Sequence, residues 1–374
     1  MSVMMRAKDV IEKLHGHKVR GLNVNFVDRE TETERLIDIF EKRPMHVLVI
    51  SGPWGCGKTE YARALTYALG VLDDYISIYM NLSEEEAERV LMTMKPRVRE
   101  AAKDMLTALF KDVAEIPLRM YSFLKMINQR FILRNQIIVI FIDEITRSLD
   151  KYKISIRDFI SSMSLKLYDL CDELRLKRLY PVFLTSEQTA AQYFLRERGK
   201  DMFTYLMWNL PKEVACELLD ELRCPVDNEL IWQLVGGNPR GIAELFGLGW
   251  DLEKYVTAKL KTCEELAQYA QDLGITDYLS EIIEDADNIK PYVPDSDMPE
   301  YSFTIKLLEG NIVIPIDARF ERLSNVPSNE PWIGEDKAFQ VPVYYWGIKA
   351  LIKGRKRKIG FKDVLNEIQR YLKE

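Results

Sequence analysis

Histidine is scarce in this 374-residue chain, with three in all (His15, His17 and His46), and the five cysteines (Cys56, Cys171, Cys216, Cys224 and Cys263) include no Cys-x-x-Cys pair. Neither a zinc site nor a disulfide framework is expected to hold such a chain together. Cys171, Cys216 and Cys263 fall in helical patterns and read as packing residues. Long apolar runs are also missing. The longest, residues 137–142, is far below the roughly 20 residues that cross a bilayer, and residues 1–9 carry no apolar signal core. The expectation is a cytoplasmic protein with no membrane segment. Charge of one sign is not in excess either: 52 Lys and Arg against 58 Asp and Glu leave −6, which does not suggest a nucleic-acid coat. What is there is ordinary globular composition, 47 % hydrophobic and 29 % charged. At about 100–200 residues per domain it predicts two or three domains with real cores.

Five short β-type runs, at residues 47–51, 75–81, 137–143, 181–186 and 204–210, alternate with long helical patterns. The third run, Ile137-Ile138-Val139-Ile140-Phe141-Ile142, is apolar at every position. That fits a strand covered on both faces, and so a parallel sheet with helices packed on each side. Residues 82–135 read as two or three amphipathic helices broken near Pro96 and Pro117. A second helical block, 211–274, contains Gly236-Gly237-Asn238-Pro239-Arg240. The acidic stretch 281–300, with Pro291, Pro294 and Pro299, reads as a linker. Beyond it, 302–308 and 311–315 resemble two strands joined through Glu309-Gly310, and 362–372 reads as an amphipathic helix. The pattern Val341-Pro342-Val343-Tyr344-Tyr345-Trp346 fits no element.

The first run leads into Gly52-Pro53-Trp54-Gly55-Cys56-Gly57-Lys58-Thr59, and a helical pattern starts at Glu60. This is Gly-x-x-x-x-Gly-Lys-Thr in its strand-loop-helix setting. A loop that wraps a phosphate must turn its amides inward through backbone angles that a side chain would obstruct, hence the glycines. The positive end of the following helix adds to the amide cradle. Lys58 is placed to meet the β- and γ-phosphates and the Thr59 hydroxyl to coordinate Mg2+. The span Pro53 to Glu60 as a whole is the candidate ATP/ADP contact. Cys56 reads as a tolerated small residue rather than a redox switch.

Asp143-Glu144 ends the third run, which delivers both carboxylates to the carboxyl edge of the sheet, where open α/β folds bind ligands. Asp143 would hold the Mg2+ shell through water, and Glu144 would polarise a water for attack on the γ-phosphoryl group. The plainer alternative is an acidic pair at a helix N-terminus.

With these residues the chain resembles the AAA+ and STAND branches of the P-loop ATPases, and especially an archaeal ATPase family related to both. The resemblance covers residues 20–250 and rests on motifs in order: Phe26-Val27-Asp28-Arg29-Glu30, the loop, the acidic pair, Thr185-Ser186-Glu187 and the Gly236 to Arg240 motif. It implies a parallel five-stranded core of strand order 5-1-4-3-2, a helical lid and a C-terminal domain like a winged helix, with residues 302–315 as its wing. The implied boundaries are an N-terminal segment at 1–22, core at 23–211, lid at 212–280 and C-terminal domain at 281–374. Phe26, Val27 and Arg29 would lie against the adenine, although Asp28 also suits a helix-capping turn. Ser186, with Thr185 second, would sense the γ-phosphate, or simply end its strand. Pro239 and Arg240 would bring a lid arginine to the phosphates, or Arg240 is an exposed helix-opening residue. Arg196 and Arg198 stand where AAA+ relatives carry an arginine finger, and the sequence leaves that role open.

The expected function is an ATP-hydrolysing switch whose nucleotide state is passed to a partner. Residues 349–374 hold nine basic against three acidic side chains, centred on Arg355-Lys356-Arg357-Lys358. They suit salt-sensitive DNA binding or a solvated surface equally. A protein client or self-association is the alternative partnership. A small-molecule kinase and a regulatory module with negligible turnover are the alternative functions.

Overall fold

The run at 137–143 is buried at every position, and a strand without a wet face must lie inside a sheet covered on both sides. A computed structural model describes residues 2–43, 46–81, 91–93, 95, 122, 124–125, 127–128, 133–144, 156–196, 202–293 and 296–373. Among them one sheet comprises Val47–Ser51 (β1), Tyr75–Asn81 (β2), Leu91–Met92 (β3), Ile137–Asp143 (β4), Arg178–Thr185 (β5), Met202–Leu206 (β6) and Glu321–Arg322 (β8). Its order is β3-β2-β4-β5-β1-β6-β8. Six of these strands run parallel and β3 pairs antiparallel with β2. Val313–Pro315 (β7) and Lys337–Phe339 (β9) form a separate antiparallel pair.

Alternate residues of the central strands point to opposite faces. One set, Leu48, Ile50, Val139, Phe141, Val182 and Leu184, packs with Val10 and Leu14 of Val3–His15 (α1) and Leu36 and Phe40 of Glu30–Lys42 (α2). Leu65 of Lys58–Ala68 (α3) joins the same cluster. On the opposite face Phe159 of Ile156–Leu174 (α4) packs against Phe183, ring centroids 5.7 Å apart, and Gln188–Arg196 (α5) follows β5. At roughly 1.5–3 kcal/mol per fully buried large apolar side chain, these two layers hold the sheet rigid beneath its carboxyl edge.

The remainder is mostly helical: Lys212–Glu221 (α6), Asn228–Val235 (α7), Pro239–Gly247 (α8), Leu252–Asp272 (α9), Thr276–Glu284 (α10), Pro299–Glu309 (α11), Pro342–Gly354 (α12) and Phe361–Tyr371 (α13). Asp227, Asn238 and Asp251 cap α7, α8 and α9 by accepting from amides three residues on. One apolar cluster runs through this whole region, from Trp232, Leu245 and Cys263 to Phe303, Trp346 and Ile368.

Four expectations are corrected. Residues 302–308 are not a strand and 302–315 is not a wing, because 299–309 is the helix α11. Pro299 opens that helix, where a missing N–H is harmless, and Phe303 and Leu307 lie one turn apart on its buried side. Only Val313–Pro315 is extended there, and it pairs with β9 rather than with residues 302–308. The stretch 281–300 is not a free linker over its first half: Ile282, Ile283, Ala286 and Ile289 are buried in the helical core. Asp287 also accepts from the amides of Glu335, Asp336 and Lys337. Within 82–135, residues 91–92 are a strand and not helix; most of the helices expected there lie outside the described residues. The unplaced pattern at 341–346 opens α12 and buries Trp346. Strand boundaries also move, with β5 starting at Arg178 and β6 ending at Leu206.

Candidate nucleotide site

β1, β4 and β5 are adjacent and parallel, so their carboxyl ends bring three sequence-distant segments together. Gly55 and Gly57 adopt φ +84° and +97°, angles open to glycine and costly for other residues. Gly52 is packed so closely that a Cβ there would stand 2.0 Å from the Met207 carbonyl. The loop therefore requires glycine at all three positions. Lys58 Nζ donates to the carbonyls of Gly52 and Pro53, each at 2.9 Å. Cys56 is buried, its Sγ directed at the Met207 carbonyl at 3.6 Å and accepting from Lys58 Nζ at 3.5 Å, and it borders an apolar cavity beside the loop.

Thr59 Oγ1 donates to Asp143 Oδ2 at 2.6 Å, joining loop and third-run carboxylate across 84 residues. Tyr79 of β2 donates to the same oxygen at 2.9 Å. Burial, reinforced by the Asp143 charge, pushes the Tyr79 phenol far above its ordinary value, so it remains a donor. Glu144 follows at φ +58°, its amide donating to Asp143 Oδ1 at 3.0 Å. This turn ends the strand and sets the second carboxylate apart from the first. The donor set is hard oxygen, a hydroxyl beside a carboxylate, which suits Mg2+ sharing its shell with phosphates and water. Among the described residues there is no group of three or more His, Cys, Asp or Glu that could hold a metal ion.

A cavity of about 440 Å3 opens above these groups, and Trp54, Gly55, Gly57, Lys58, Thr59, Glu60, Asp143, Glu144, Ser186, Pro239 and Arg240 all reach its wall. A smaller apolar cavity of about 70 Å3 adjoins it, sharing Val19, Leu22, Gly57, Glu60 and Pro239, and is bordered by Phe26, Val27 and Arg29. Pro53 borders neither, and its carbonyl serves Lys58.

Residues 26–245, more than half of the chain, match the family model of an ATPase domain predominantly from Archaea. The chain belongs to this ATPase family. Among curated proteins none matches it.

In this P-loop ATPase the Gly236 to Arg240 motif docks directly on the loop. Asn238 Nδ2 donates to the Trp54 carbonyl at 3.0 Å, and the Arg240 amide to the Gly55 carbonyl at 3.2 Å. The Arg240 guanidinium stacks over the Trp54 ring, 3.7 Å from its centroid, and its Nε donates to Glu244. Arg29 borders the smaller cavity, but its guanidinium is committed elsewhere. At 2 % exposure it donates to Glu32 Oε1 at 2.6 Å and to the Cys56 carbonyl at 2.9 Å. Burial alone would lower its pKa; Glu32, with Cys56 and Asp28 nearby, offsets that and raises it, so the ATPase keeps a fixed cation behind its loop. Glu60 is half-buried: burial pushes it up, yet its hydrogen bond from His17 at 3.0 Å and the charges near it hold it below its ordinary value.

Ser186 lies just past the end of β5, and Thr185 Oγ1 accepts from the Glu187 amide at 3.2 Å. Arg198 and the Arg196 side chain lie outside the described residues. Sequence reasoning missed Tyr79, Val19, Leu22 and Gln188, whose Nε2 donates to the Ser186 carbonyl at 2.9 Å. No motif marks them, since their roles depend on which strand lies next to which.

Proposed function

We propose that this ATPase is a Mg2+-dependent, ATP-hydrolysing switch of the kind found in the AAA+ and STAND branches. The observation that carries the reading is the Thr59–Asp143 contact at 2.6 Å beside the glycine cradle, with Glu144 on the same cavity wall. The loop amides and Lys58 bind the phosphates, and the smaller apolar cavity takes the base. Thr59, and Asp143 through water, would hold Mg2+, which when bound neutralises developing charge on the phosphates. Glu144 orients the attacking water and accepts its proton. Ser186 and Arg240 contact the γ-phosphate, and Arg240 leaves the Trp54 ring to do so. Because the 236–240 motif rests on the loop, nucleotide exchange moves the lid, and the lid's core continues into α11 to α13.

The partner we propose is nucleic acid, bound by the exposed basic turn Arg355, Lys356, Arg357 and Lys358 between α12 and α13.

The test is a pair of substitutions assayed for phosphate release without any added acceptor. Glu144→Gln is expected to bind Mg·ATP yet turn it over about 100-fold more slowly, the usual scale for a lost general base. Lys58→Ala is expected to lose tight binding. Equal turnover by wild type and Glu144→Gln would remove Glu144 from the mechanism, and ADP formed only on addition of a small-molecule acceptor, with no free phosphate, would make the protein a kinase.

A further inference from the structure

Peptide carbonyls of the loop are held by groups within residues 26–245, among them Trp54 by Asn238, Gly55 by the Arg240 amide, and Cys56 by Arg29. A further tie comes from outside that matched region. The Trp54 N–H donates to Gln340 Oε1 at 2.7 Å, across 286 residues. Only the oxygen of a glutamine amide can meet a backbone N–H, so the donor fixes which way the amide faces.

Gln340 is built into its place. It is 1 % exposed, its backbone N–H donates to the Ile312 carbonyl at 2.9 Å, and its backbone carbonyl accepts from Asn209 Nδ2 at 3.1 Å. Asn209 Oδ1 in turn accepts from the Nδ2 of Asn238 that holds Trp54. The residue sits between β9 and α12, and the first residue of α12, Pro342, lies where a Cβ on Gly236 would come within 2.8 Å. A second tie runs parallel to this one. Ser324 Oγ donates to Glu32, the partner of Arg29, and accepts from the Trp208 amide at 2.9 Å. The C-terminal segment thus meets the loop directly through Gln340 and, by way of Glu32 and Arg29, indirectly through Ser324.

We propose that Gln340 is a positioning residue of the phosphate loop, and that through it occupancy of the loop is coupled to the C-terminal segment 311–345. The proposal rests on the reading of the loop as a nucleotide site. A loop held with its amides already turned inward binds phosphate without a reordering step, and a ligand that tightens the loop must tighten whatever holds it, because coupling is reciprocal. Nucleotide state then passes to the C-terminal segment by a direct contact, in addition to any lid movement.

The experiment is amide hydrogen exchange on the full chain with and without Mg·ADP, for wild type, Gln340→Met and Gln340→Glu. Methionine keeps the length and loses the acceptor; glutamate keeps an acceptor oxygen. In wild type, Mg·ADP is expected to slow exchange both in residues 52–60 and in 311–345. In Gln340→Met the loop is still protected, at an affinity about fivefold lower, the scale of one hydrogen bond, while protection of 311–345 is lost. Gln340→Glu restores it. Protection confined to the loop in wild type overturns the proposal even if the methionine variant fails to fold, and so does a methionine variant indistinguishable from wild type. Absence of protection anywhere in wild type overturns the nucleotide reading and this coupling with it.

Discussion

Tyr79 is fully buried, yet its hydroxyl and that of Thr59 converge on one oxygen of Asp143. A carboxylate at a sheet edge would otherwise be free to turn, and two donors on a single oxygen fix its plane. Tyr79→Phe keeps the ring and removes one donor. The expected result is a loss of about 1–3 kcal/mol of stability, as for a hydrogen bond to a charged group, and a higher Mg2+ concentration for half-maximal ATP turnover. An unchanged Mg2+ titration would show that Tyr79 has no part in the proposed metal site. The loop and Asp143-Glu144 were legible in the sequence because each is a local string whose chemistry its own neighbours impose. Tyr79 and Gln340 were not, since each acts on a residue more than 60 positions away.

Between the helices α7 and α8 the chain turns through Gly236 and Gly237 at φ +58° and +72° before Asn238 caps the next helix. At Gly237 a Cβ would stand 2.1 Å from the Leu210 carbonyl, the residue whose amide it accepts from. Gly237→Ala is therefore expected to cost more than about 2 kcal/mol in denaturant unfolding, through left-handed strain and backbone displacement together. Gly247→Ala, with nothing within 4 Å of the added methyl, should be neutral or slightly stabilising. Equal effects would mean that the turn yields more easily than its packing implies. The same scale explains the misreading of 302–308: Phe303-Thr304-Ile305 has strand-like residue types, but Pro299 upstream and the spacing of Phe303 and Leu307 serve a helix packed on one side. The sheet strands were read well because an uninterrupted apolar run has few other places to go.

Across the whole molecule, β8 adds a strand from residues 321–322 to the edge of the ATPase sheet beside β6, and one apolar cluster joins residues 210–368. The basic turn at 355–358 projects from this body. Lys356 pairs with Asp363, while Arg355, Arg357 and Lys358 are exposed. Replacing those three by alanine is expected to weaken duplex DNA binding and to flatten its salt dependence by about 2–3 in log–log slope, roughly one unit for each phosphate no longer neutralised. An unaltered slope would take nucleic acid off this surface. What the sequence alone determined was the chemistry of the edge: a glycine loop, a lysine, a hydroxyl and two carboxylates at the ends of buried strands, all dictated by neighbours within a few residues. The tertiary structure decided what holds that edge in shape: Arg29 behind the loop, Tyr79 under Asp143, Gln340 against Trp54. Buried polar groups take whatever partner the packing brings, and packing between segments 27 to 286 residues apart leaves no periodic signature in the chain.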